Sequence, residues 1–76
     1  MLTMTGSSTA AVLSAMNDHV DRYREEVARL ADELTAGDRI AGRPDAHADL
    51  VSALYEAERA LKTASRALYR ATTFDR

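Results

Sequence analysis

The sequence predicts an all-α fold: a two-helix antiparallel hairpin, coiled-coil-like with an alanine-rich second helix, that dimerises into a four-helix bundle. Three observations carry this. In the first half, apolar residues recur at Leu13, Met16, Val20, Tyr23, Val27, Leu30 and Leu34, alternately three and four apart, which is the period of a packed helix face. The second half repeats the alternation at Leu50, Leu54, Ala57, Leu61, Ala64, Leu68 and Ala71. Between them, "GDRIAGR" is the one stretch where helix breakers cluster.

The elements follow in order. Residues 1–7 form a flexible N-terminus, and a single hairpin domain covers residues 8–72, with Met1 or Met4 as the natural start. The first helix spans about residues 8–36. Ser7, Ser8 or Thr9 caps its start, and Gly37 sits where a left-handed residue ends it. Taking Leu13 as heptad position a puts Val20, Val27 and Leu34 at a, and Met16, Tyr23 and Leu30 at d. A loop over about residues 37–43 leads to the second helix, residues 44–72, with Pro44 near its first turn and Asp45 and Asp49 at its positive end. Residues 73–76 form a tail. So short a loop makes the helices antiparallel neighbours. One register lays the stripes together: Leu34 on Leu50, Leu30 on Leu54, Val27 on Ala57, Tyr23 on Leu61, Val20 on Ala64, Met16 on Leu68 and Leu13 on Ala71. It also sets Arg24 beside Glu58.

Oligomerisation enters through size. A chain of 76 residues makes one small domain, and domains this short usually need a staple. With no cysteine, disulfides and Cys-based metal frameworks are excluded. The second helix carries leucine at a and alanine at d (Ala57, Ala64, Ala71) and at g (Ala53, Ala60, Ala67), an apolar face wider than the first helix covers. Alanine filler from a GC-rich genome would not hold this phase. A second copy, packed closely along Ala53, Ala57, Ala60, Ala64, Ala67 and Ala71, is the economical cover.

The net charge of −2 is mild but uneven: residues 1–38 hold seven acids and three bases, residues 39–76 five acids and seven bases. This is less basic than a bulk nucleic-acid binder. No apolar run is long enough for a membrane span, and "MLTMTGSS" lacks the form of a signal peptide, so the expected location is cytoplasmic.

Catalytic chemistry finds little support. His19 and His47 are the two histidines, and neither has a serine nucleophile at helical spacing. No Glu-x-x-His motif is present to build a di-iron centre. Neither a cofactor nor a metal is expected, and no catalytic residue is assigned. The acidic stripe Asp18, Glu25 and Asp32 is laced by Arg22 and Arg29 at i+4 spacing, as a solvated face would be. Two hairpin families are excluded by motif. With no tryptophan, the turn lacks the Trp-x-Gly of secreted WXG-type hairpins, and with no glutamine the chain lacks the ligand set of cyclic-di-GMP-binding anti-sigma hairpins.

One feature remains. Tyr55, Arg59, Lys62, Arg66 and Tyr69 run along the outer side of the second helix, basic in the middle and aromatic at each end. It reads either as a solvated face with Glu58 pairing Lys62, or as a docking surface for an acidic protein, tyrosine and arginine being common interface anchors. The function expected is a non-enzymatic protein-interaction or regulatory module acting as a homo-oligomer. The alternatives are a nucleic-acid-binding dimer using the same basic face, less favoured, and a structural subunit of a larger complex.

Overall fold

The computed structural model describes residues 6–74, with side-chain burial described from residue 8. Helix α1 runs Gly6–Ile40 and helix α2 runs Ala48–Phe74, packed side by side as a hairpin 58 Å long and 18 × 16 Å across. The flexible N-terminus expected over residues 1–7 and the tail over 73–76 fall largely outside the described residues. Within them, Gly6 already begins α1 and Phe74 still belongs to α2. Ser7, Ser8 and Thr9 therefore lie inside the helix, not at its cap.

The loop, residues 41–47, is as long as the one expected over residues 37–43 but lies four residues later. Gly37 does not end α1. The helix continues through it to Ile40, and Gly42 takes the left-handed conformation with φ 75°. Two hydrogen bonds explain the choice. The Gly42 N–H donates to the Arg39 carbonyl at 3.1 Å and the Arg43 N–H to the Asp38 carbonyl at 2.8 Å. Together they form a Schellman closure, which satisfies two carbonyls that would otherwise be orphaned at the helix end. Pro44 lies two residues further on, where its missing N–H stops any continuation. It is thus outside α2, as is Asp45, whose carbonyl accepts from the Ala48 N–H at 3.2 Å. The first full turn of α2 is closed by the Val51 N–H donating to the His47 carbonyl at 2.8 Å, which makes His47 the N-cap.

Asp38, in the last turn of α1, ties the two helix ends together. Its carboxylate accepts the His47 backbone N–H at 3.0 Å and meets His47 Nδ1 at 2.7 Å. The group is only 7 % exposed. A carboxylate is unfavourable at the negative end of its own helix but favourable at the positive end of the next. Here one side chain spans both, and it does for α2 what the sequence reading assigned to Asp45, while Asp49 lies in the first turn of α2 as expected.

The register matches the one predicted, but α1 is turned about its axis. Its buried and half-buried line runs Leu13, Asn17, Val20, Arg24, Val27, Ala31, Leu34 and Asp38, which is positions a and e. Positions d stay outside: Met16, Tyr23 and Leu30 are 43, 57 and 45 % exposed, and Leu50 of α2 is 46 % exposed. The layers Met16–Leu68, Tyr23–Leu61, Leu30–Leu54 and Leu34–Leu50 are therefore not the packed seam. The polar edge supplies the reason. Ser65 Oγ lies 3.1 Å from Asn17 Oδ1 and 3.0 Å from Asp21 Oδ1, and with the Asp38–His47 clasp it draws the e side of α1 against α2. One hydroxyl proton cannot serve two acceptors, so all three groups are satisfied when the Asn17 amide donates to Ser65 and Ser65 donates to Asp21.

Ala31, fully buried, is the one apolar core residue among the described residues. The accessible surface of 5,908 Å² exceeds by about 1,300 Å² the roughly 4,600 Å² expected of a compact monomer of this mass. Two helices alone leave much of each apolar stripe in water.

Candidate functional site

Two exposed faces of the hairpin are candidate interaction surfaces. The first is apolar and arises from the turning of α1. In an antiparallel pair the g-side flanks of both helices lie on one face and the e-side flanks on the other. Ser65, Asn17 and Asp21 mark the e side as polar. The opposite face collects Val12, Met16, Tyr23 and Leu30 from α1, all more than 40 % exposed, beside Ala53, Ala60 and Ala67 of α2, also exposed. The alanines named as self-association residues thus divide. Ala57, Ala64 and Ala71 are half-buried against α1, while Ala53, Ala60 and Ala67 face outward.

The sequence reading missed the α1 contribution to this face. It placed Met16, Tyr23 and Leu30 inside the hairpin, because position e offers Asn17, Arg24 and Asp38 as the competing line and hydropathy alone prefers d. The signal that could have found it is Ala31, a small apolar residue at the centre of that polar line.

The second face is the outer stripe of α2. Tyr55, Arg59, Lys62, Arg66 and Tyr69 are all exposed, Tyr69 at 73 % and Tyr55 at 43 %. Tyr55, Glu58, Arg59 and Lys62 line a surface depression of about 270 Å³. The i+4 pair expected between Glu58 and Lys62 is not made, nor is the pair between Arg24 and Glu58. The one Arg–carboxylate pair among the described residues joins Arg24 to Asp21 at 3.9 Å. At that distance and exposure it contributes little. Arg59, Lys62 and Arg66 accordingly present positive charge with no ion-pair partner in the described residues.

The Asp38–His47 pair has the geometry of a carboxylate orienting an imidazole. The same carboxylate also binds the His47 backbone N–H, as a helix cap does, and the pair sits at an open turn where residues 39–50 are all exposed. Among the described residues no group of three or more His, Cys, Asp or Glu side chains is placed to hold a metal ion. No helix among them is long and apolar enough to cross a membrane. The chain matches no protein-family model, no curated protein and no solved structure.

Proposed function

We propose that this chain is a non-enzymatic protein-interaction module that works as a homo-oligomer of helical hairpins, two copies forming a four-helix bundle. The observation that carries the reading is the exposed apolar face of Val12, Met16, Tyr23 and Leu30 beside the α2 alanines. Contiguous apolar patches on a helical surface mark association sites, and the surplus accessible surface exceeds the roughly 800 Å² per partner that a stable interface hides. Covering this face leaves the basic stripe of α2 free. That stripe then serves as the docking surface for an acidic protein, with Tyr55 and Tyr69 as anchors at its ends.

Sedimentation of the purified chain, with thermal melts over a hundredfold range of concentration, tests the first part. A dimer whose midpoint rises with concentration is expected; a folded monomer with a concentration-independent melt overturns it. For the second part, Arg59→Glu with Arg66→Glu is expected to leave helicity and dimerisation intact and to abolish capture of the acidic partner. Capture that falls tenfold or more with modest added salt and is competed by polynucleotide favours the nucleic-acid reading instead.

A further inference from the structure

The hairpin's own register determines how a second copy fits. Ser65 lies between Asn17 and Asp21, so it stands level with residue 19 of α1. Counting outward in opposite chain directions, Ala67 is level with residue 17, Ala60 with residue 24 and Ala53 with residue 31. Each alanine of the exposed α2 row is therefore one residue, about 1.5 Å of helix rise, from the level of a large exposed α1 side chain: Met16, Tyr23 and Leu30 respectively. At the open end the sizes reverse. Phe74, a further heptad along the alanine row and 82 % exposed, is level with residue 10 and so again one residue from the α1 row, there half-buried Thr9.

We infer that the second copy packs with its two-fold axis parallel to the helices, so that α1 of each copy lies on α2 of the other and both loops emerge at the same end. This rests on the dimer proposed above and specifies its geometry. The operation keeps every residue at its own level. Met16 meets the partner's Ala67, Tyr23 the partner's Ala60, Leu30 the partner's Ala53, and Thr9 the partner's Phe74. Every layer then holds two large and two small side chains on opposite diagonals, and the two helix–helix distances stay equal. The other two-fold, perpendicular to the helices in the plane of the face, sets Tyr23 on Tyr23 and Ala60 on Ala60. Large residues would hold the α1 pair apart while the α2 pair needs close approach, and voids would open between the alanines.

The absence of native cysteine makes the test direct. Arg43→Cys, at an exposed loop position, carries a nitroxide in the full-length dimer, and the distance between the two labels is measured. A separation under about 30 Å is expected from two helix layers spaced 8–10 Å apart plus label length. A separation approaching the 58 Å length of the hairpin overturns the inference and leaves the dimer standing; a monomer at all concentrations overturns both. Cross-linking supplies a second readout that does not depend on the loop. Mixed Tyr23→Cys and Ala60→Cys chains are expected to oxidise to a covalent dimer, while Ala60→Cys alone does not. Efficient self-linking of Ala60→Cys refutes the arrangement, because in it the two positions lie on a diagonal beyond disulfide reach.

Discussion

Replacing Asp38 is the sharpest test of how the hairpin is closed. Its carboxylate holds two donors, the His47 backbone N–H at 3.0 Å and the His47 ring at 2.7 Å, and they are unequal in energy. The backbone bond goes to a charged acceptor that is 7 % exposed, which places it at about 1.5–3 kcal/mol. The ring bond belongs to a side chain that is 47 % exposed, so solvent screening reduces it to about 0.2–1 kcal/mol. Removing an unfavourable charge from the C-terminal turn of α1 returns a few tenths. Asp38→Ala is then expected to cost about 2–3 kcal/mol. Asp38→Asn, which keeps an oxygen for the backbone N–H, costs about 1, and His47→Ala, which keeps that N–H, about 0.5–1. Urea unfolding followed by helical circular dichroism at one fixed protein concentration reads all three. If Asp38→Ala costs no more than His47→Ala, the carboxylate is not capping α2 and the account of the clasp fails.

Other expectations are as direct. Gly37 sits in mid-helix, and a Cβ there would meet nothing within 4 Å; Gly37→Ala should raise the melting midpoint, by about 0.5–1 kcal/mol of added stability. Gly42→Ala, at φ 75°, should lower it by about 1–2 kcal/mol, so the two substitutions move the same thermal melt in opposite directions. Ala64→Leu, inside the seam, should destabilise at every concentration by roughly 1–3 kcal/mol, whereas Ala60→Leu, exposed in the hairpin, should weaken only the oligomer in sedimentation. Ala15→Leu on the outer face of α1 serves as the neutral control; Ala28 is half-buried and unsuitable. Ser65→Ala should cost about 0.5–1.5 kcal/mol in urea unfolding.

The helices and their register were legible in the sequence because periodicity is a property of one chain segment at a time. Leu54, Leu61 and Leu68 at a and Ala57, Ala64 and Ala71 at d are all half-buried, as their spacing requires. What was not legible depends on bonds between segments. No local pattern links Asp38 to His47 nine residues on, or Asn17 and Asp21 to Ser65, yet these bonds choose which edge of α1 turns inward. The choice of Gly42 over Gly37 is similar, although Pro44 just downstream was the available cue. The basic stripe needed only helical spacing and lies where the sequence put it. The apolar face does so only in its alanine row, because Met16, Tyr23 and Leu30 are residues that hydropathy assigns to the interior.

A hairpin with a single fully buried apolar residue among the described residues has consequences for its calorimetry. An unfolded chain of this mass exposes about 12,000 Å², so folding to 5,908 Å² hides only about half of it. The heat-capacity change on unfolding scales with apolar area hidden, so for one hairpin it falls below the usual 12–15 cal/mol/K per residue. A small heat-capacity change flattens the dependence of stability on temperature, and a small enthalpy broadens the transition. The lone hairpin should therefore melt gradually, with little cold sensitivity. If the proposed dimer forms, curvature and a sharp endotherm should develop only as its second layer of helices closes over the first.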